Sequence, residues 1–202
     1  MSHYYDKHPD VVSDQKEIIY QYRQHGLRLL TDAGVFSRDK VDYGSDLLVQ
    51  SFLNEHPPGR AKKIIDVGCG YGPIGLTLAK VAPHDHIILL DVNHRALELT
   101  RKNAQRNHID NIIIKESDGL TEVADASVDY ILTNPPIRAG KKVVHQILED
   151  AFAKLLEDGV LYVVIQKKQG MPSAKKKMAD IFGNVSSIKN SKGYHILKSV
   201  KH

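Results

Sequence analysis

The sequence predicts an α/β protein: a mostly parallel sheet covered by helices on both faces, preceded by a β-hairpin annex. Three observations carry this. Five short apolar runs, at 64–67, 87–90, 112–114, 128–132 and 160–165, are separated by segments whose apolar residues recur at helical spacing. The first run closes on a glycine cluster between Gly68 and Gly75. Ahead of it, Ile18, Tyr20 and Tyr22 alternate with polar residues, the period-two signal of a half-exposed strand. A sheet of this kind carries its ligand crevice at the C-terminal ends of its strands.

The chain has 202 residues, enough for one domain with a full core. We read 1–58 as the annex and 59–202 as the core of that single domain. With 42% hydrophobic and 26% charged residues, the composition is that of a globular protein and not of a disordered one. No apolar run approaches the roughly 18–20 residues that cross a bilayer, and the opening MSHYYDKHPD lacks a signal-peptide h-region. The expectation is a cytoplasmic protein with no membrane partner. Cys69 is the single cysteine, which excludes an internal disulfide and any zinc site needing two thiolates from one chain.

Residues 1–16 read as polar and irregular. A hairpin follows at about 18–31, turning at Gln24-His25-Gly26, where glycine is free to take positive φ. Asp42 caps a helix with Leu47, Leu48, Ser51 and Phe52 on its apolar face, ended by Pro57-Pro58-Gly59. Helices are then expected at 73–81, at 95–106 behind an Asn93 cap, at 143–157 stopped by Gly159, and at 173–182. A closing hairpin pairs 185–189 with 194–200 through Asn190-Ser191-Lys192-Gly193.

The cluster Asp66-Val67-Gly68-Cys69-Gly70-Tyr71-Gly72-Pro73 sits between the first core strand and its helix. Glycines there let the backbone pass close to a ligand and expose amides at a helix N-terminus. The dinucleotide fingerprint wants its third glycine where Pro73 stands, so that ligand class fits poorly. Asp91 closes the second strand, where a carboxylate can accept both hydroxyls of a ribose, and Asp118 follows the third. The fourth strand ends in Thr133-Asn134-Pro135-Pro136-Ile137-Arg138. Two prolines stiffen that loop, so the Asn134 side chain and the Pro135 carbonyl can serve as fixed acceptors for an NH2 group. An amine so held turns its lone pair toward an electrophile and needs no strong base before transfer.

The D-x-G-x-G-x-G spacing resembles motif I of class I S-adenosylmethionine-dependent methyltransferases, which have a Rossmann-like fold with a seven-stranded sheet. The Asn-Pro-Pro loop resembles the N-P-P-[YFW] motif of their amino-directed members. Together with Gly34-Val35-Phe36-Ser37 and Val41-Asp42-Tyr43-Gly44-Ser45-Asp46-Leu47-Leu48, these residues resemble the catalytic half of the ribosomal RNA small subunit methyltransferase C family, which carries an MTS-type domain. The resemblance spans about 18–200 and lacks the N-terminal half of longer members.

It implies methyl transfer from S-adenosylmethionine to a nucleobase amine, foremost guanine N2 of small-subunit (16S) rRNA. It implies cofactor contacts from Asp66, Gly68, Cys69, Gly70, Asp91, Val92, Asn93, Asp118, Gly119 and Asn134, with Asp66 near the methionine moiety and Asp118 on the adenine. The catalytic positions it implies are Asn134, Pro135 and Pro136. Ile137 departs from the motif's aromatic, so an annex aromatic, Phe36 or Tyr43, is expected to close over the base. The alternatives are a protein-glutamine or DNA-adenine N-methyltransferase, and a non-catalytic RNA-binding assembly factor of the same fold.

Charge adds a partner. From Val160 onward nine Lys face one acid, Asp180, a tail of +8 on a body of −4. Arg138, Lys141, Lys142, Lys167 and Lys168 are expected along one edge of the sheet, where they could track phosphates of ribosomal RNA or the small subunit around a flipped base. A solvated lysine face is the plainer reading of Lys175 to Lys177. No metal site is expected, since His84 and His86 flank Asp85 in what reads as a surface loop. Cys69 reads as a buried filler.

Overall fold

Two apolar clusters sandwich a seven-stranded sheet in the computed structural model, which describes Lys7 and residues 11–202. The irregular start expected for 1–16 therefore falls, at 1–6 and 8–10, outside the described residues. The elements run β1 (Lys16–Tyr22), β2 (His25–Thr31), α1 (Tyr43–Glu55), β3 (Lys63–Val67), α2 (Pro73–Val81), β4 (His86–Asp91), α3 (His94–Arg106), β5 (Ile112–Glu116), β6 (Val128–Thr133), α4 (Lys141–Lys154), β7 (Leu155–Gln166), α5 (Met171–Phe182), β8 (Ser186–Ser191) and β9 (Tyr194–Val200).

The sheet order is β5-β4-β3-β6-β7-β9-β8; β5 through β7 are parallel, β9 runs antiparallel to both its neighbours, and β8 therefore runs in the direction of the first five. This is the expected Rossmann-like architecture. Alternate residues of each strand serve opposite layers: Ile64 packs with α1, α2 and α3, whereas Ile65 and Val67 pack with α4 and α5. Burial on both faces is why these strands read as unbroken apolar runs.

Local chemistry sets the helix ends. Asp42 accepts from the Ser45 amide at 3.2 Å and Asn93 from the Ala96 amide at 3.1 Å, capping α1 and α3. Gly183, at φ 70°, closes α5 with its N–H on the Ala179 carbonyl. Boundaries differ from expectation by a few residues at several ends, and three of these differences have a clear cause. The first hairpin turns at Arg23-Gln24, with Arg23 at φ 49° and Gly26 inside β2, because the register that pairs Tyr22 with His25 buries Ile18, Tyr22, Leu27 and Leu29 together. α4 stops at Lys154, not 157, because Leu155 is drawn into the sheet opposite Val128. The closing turn is the two residues Lys192-Gly193, both at positive φ, so β8 extends to Ser191.

β1 and β2 form a sheet of their own, and α3 docks it with two side chains. Buried Asn103 accepts from the Leu30 amide at 2.6 Å and donates to the Leu30 and Tyr71 carbonyls, each at 2.9 Å. One turn on, Asn107 accepts from the Arg28 amide and donates to the Arg28 carbonyl, both at 2.9 Å. The two amides lie at i and i+4 on one helix face and meet alternate residues of a strand, so they stand in for a third strand. No described helix is long and apolar enough to cross a membrane.

Asn103→Ala leaves one buried and two part-buried backbone groups without this partner, at about 1–3 kcal/mol for a buried group left unsatisfied and less where water can reach. The expected loss of about 2–4 kcal/mol lowers the melting temperature by roughly 5–15 °C, measured by thermal denaturation.

Candidate active site

The chain runs β3, β4, β5 outward and then returns to place β6 on the other side of β3. Strand order reverses there, so a crevice opens between the C-terminal ends of β3 and β6. The loop after β3 is the glycine cluster; the loop after β6 is Asn134-Pro135-Pro136. They border a cleft of about 730 Å³ lined also by the ends of β4 and β5 and by residues of the annex.

The first three amides of the glycine loop are engaged within the fold. The amides of Gly68 and Cys69 both donate to the Leu90 carbonyl, at 2.8 and 2.9 Å, and the Gly70 amide donates to Asp91 Oδ2 at 2.8 Å. Thr100 and Asn103 hold the Gly70 and Tyr71 carbonyls. The fold uses the amides of 68–70 internally, and Gly68 alone of the loop lines the cleft. Its φ of 72° is the reason for glycine, since open space surrounds the position a Cβ would take. Cys69 is buried, as is Asp66, and neither lines the cleft.

Asp66 accepts from the Gly75 amide at 2.9 Å through Oδ2, while Oδ1 is buried with no hydrogen-bond partner among the described residues. Burial pushes its carboxyl up to about 7, the Gly75 bond opposing and the Asp91 charge adding. Asp91 is also raised by burial, against the pull of the Asn93, Gly70 and Val92 amides. It accepts from Asn93 at 2.9 Å and from Gly70 and still borders the cleft, so its remaining lone pairs can receive hydroxyls. Val92, Asp118 and Gly119 line the cleft as well; Asn93 lies behind it, donating to the Gly34 carbonyl at 3.2 Å.

On the β6 side, Asn134 Nδ2 donates both its hydrogens, to Asp42 Oδ2 at 3.1 Å and to Ser45 Oγ at 3.0 Å. Asn134 borders the cleft, and its Oδ1 has no hydrogen-bond partner among the described residues. The Pro135 carbonyl already accepts from the Ile137 amide at 2.8 Å, leaving one lone pair for another donor. Pro136, Ile137 and Arg138 line the wall beyond.

Of the annex aromatics Phe36 and Tyr43, Phe36 lines the cleft and Tyr43 does not. Tyr43 turns away, its hydroxyl 2.7 Å from Ser191 Oγ and its ring against Tyr194. Tyr194 of β9 supplies the second cleft aromatic, with Asp42, Ser37, Ser117 and Gln169 also lining it unannounced. The Tyr194 signal was absent because its partners lie far away in sequence; Asp42 carried a legible signal as a helix cap, but for one role only. Lys141, Lys142, Lys167 and Lys168 do not line the cleft; they are exposed just beyond Arg138 and Gln169. No cluster of three or more metal-ligating side chains occurs among the described residues.

A family model described as the methyltransferase small domain matches residues 26–198. The chain belongs to that family. Among the relatives of this methyltransferase chain, an uncharacterised Bacillus subtilis protein, YbxB, is 46% identical over 200 residues, 98% of either chain. The ribosomal RNA small subunit methyltransferase C of Hahella chejuensis is 37% identical over 70% of this chain and 41% of its own. The large subunit methyltransferase G of Psychromonas ingrahamii is 28% identical over 95% and 50%. The chain thus spans about half the length of these ribosomal RNA methyltransferases and nearly all of the Bacillus protein. A solved T. Thermophilus 16S rRNA N2 G1207 methyltransferase, in complex with AdoMet and guanosine, shares the fold with a TM-score of 0.85 at 23% identity, over 96% of this chain and 52% of that one.

A carboxyl raised by burial holds its proton in the folded state at pH values where the unfolded chain has lost it, so stability falls as pH rises from about 4 to about 7. Asp66→Asn, neutral at every pH, removes that slope: melting temperatures of wild type and variant should diverge across this window, with the variant relatively better at pH 7.

Proposed function

We propose that this chain transfers a methyl group from S-adenosylmethionine to an exocyclic amine of ribosomal RNA, with guanine N2 of the small-subunit rRNA as the leading acceptor. The observation that carries the reading is Asn134: both its N–H bonds are tied back, which leaves Oδ1 without a partner among the described residues on a side chain that borders the cleft next to Pro135 in sequence. Two acceptors on a stiff loop suit an sp2-bound NH2. Relatives named for small- and large-subunit RNA support the substrate class, and the guanosine-bound neighbour supports guanine N2.

The residues present fit the cofactor. Asp91 at the end of β4 suits ribose hydroxyls, Asp118 beyond β5 suits the adenine amino group, and Val92 and Ile147 offer apolar wall between them. When bound, S-adenosylmethionine supplies an electrophilic methyl group. Asn134 and Pro135 accept the amine's two hydrogens and so aim its lone pair across the cleft toward the glycine loop. As the nitrogen becomes positive these acceptors stabilise it, and the proton can leave afterwards to water. Phe36, Tyr194 and Ile137 are placed to hold a base by its faces and edge. Annex residues Phe36 and Asp42 line the same cleft as Asp91, Asn134 and Tyr194 of the core.

Arg138, Lys141, Lys142, Lys167 and Lys168 give the cleft a basic rim for RNA phosphates. The tail's charge is less free than its composition suggests: Lys176 pairs with Asp180, Lys177 with Glu149 and Lys198 with Glu55, while Lys167, Lys168 and Lys175 have no ion pair among the described residues.

Radiolabelled methyl transfer onto 30S and 50S subunits, tRNA and protein extract from a strain lacking the protein, followed by nucleoside analysis, tests the reading. Label in N2-methylguanosine of 30S RNA is expected, and Asn134→Ala should lower the rate about 100-fold or more; label in methylglutamine would overturn it. Lys167→Glu with Lys168→Glu should weaken RNA binding and flatten its dependence on salt, each lost phosphate contact reducing the log–log slope by about one.

A further inference from the structure

Resting on that reading, we infer that Asp42, a residue of the annex, is the positioning residue that fixes the amide of Asn134 and so aims its Oδ1 at the acceptor amine. An asparagine amide is nearly symmetric in shape, and rotation by half a turn would present NH2, a donor, where the reaction needs an acceptor. The rotation is blocked here by two oxygens. Asp42 Oδ2 and Ser45 Oγ take the two Nδ2 hydrogens, and a rotated amide would set its oxygen against a carboxylate.

Asp42 is itself held from two directions. The Ser45 amide donates to Oδ2 at 3.2 Å, and the Tyr194 hydroxyl donates to Oδ1 at 3.4 Å. The space is made by Gly44: a Cβ there would lie 2.7 Å from the Tyr194 ring and 2.8 Å from Asp42 Oδ2. A helix cap alone needs none of this, since capping uses only the Ser45 amide. The carboxylate also acts along the amide it holds. Drawing on the Nδ2 hydrogens polarises the group and makes Oδ1 a stronger acceptor as the substrate nitrogen becomes positive.

The test separates capping from positioning. Serine and asparagine both cap helices well, but only asparagine carries its oxygen far enough to reach Asn134. Asp42→Ser should melt close to wild type and bind S-adenosylhomocysteine unchanged, yet show kcat lowered about 10- to 100-fold with acceptor KM within about threefold. Asp42→Asn should recover most of that loss. Equal rates for the two variants, whether both high or both low, overturn the inference. Should Asp42→Ser fail to fold, Ser45→Ala removes one of the two acceptors with the cap intact. It should slow wild type but cause no further loss in an Asn134→Ala background; equal loss in both backgrounds overturns the inference. A wild-type chain that binds S-adenosylhomocysteine but methylates no RNA defeats the proposed function and the inference together. An active wild type with unresponsive Asp42 variants defeats the inference alone.

Discussion

The annex is attached to the core by side-chain amides that imitate backbone, and the acceptor side of the cleft depends on that attachment. A two-stranded sheet is marginal in water and has open edges. Here Asn103 and Asn107 close one edge of β2 from a helix, and the buried face of the hairpin joins the cluster under α1, α2 and α3. With the hairpin set, the segment that follows it delivers Phe36 and Asp42 to the cleft. The same α3 carries Thr100, which bonds the Gly70 carbonyl, and is capped by Asn93, which bonds the Gly34 carbonyl. One helix thus references both the glycine loop and the annex to a common frame.

Rigidity in the cofactor half has a similar origin. Most backbone groups of the glycine loop are paired internally: amides of Gly68, Cys69 and Gly70 on Leu90 and Asp91, and carbonyls of Gly70, Tyr71 and Cys69 on Thr100, Asn103 and the Gly72 amide. The loop gains a fixed shape and gives up donors that it might have offered a ligand. The carboxylates standing at the ends of β4 and β5, Asp91 and Asp118, border the cleft with acceptors that can match hydroxyl and amino donors. Tyr71 extends this frame, its buried hydroxyl donating to the Ser37 carbonyl at 3.2 Å.

What could be read in the sequence was what is locally encoded. Ile64-Ile65 or Ile112 to Ile114 announce strands because both faces of a parallel sheet are covered. Asp42 and Asn93 announce helix starts because a cap bonds within three residues. The hairpin turn was misplaced because Gly26 is the permissive residue, whereas register, set by burying Tyr22 and Leu27, decides where the chain reverses. Spacing located the glycine loop yet could not tell whether its amides point out or in. The second role of Asp42 and the presence of Tyr194 in the cleft had no local trace, since each is defined by partners 92 and 152 residues away.

That last separation has a consequence for how the molecule is made. Tyr194 lies in β9, the strand inserted between β7 and β8, and its hydroxyl reaches back to the annex. Contacts spanning most of a chain are late to form, because the loop they close must first be paid for in entropy. On a chain synthesised from its N-terminus, β3, β4 and β5 can pair, and the glycine loop can set, while β9 is still inside the translating ribosome. The side of the cleft formed by β3, β4 and β5 can therefore set before the side that Tyr194 lines, and a nascent chain lacks that wall until β9 has left the ribosome.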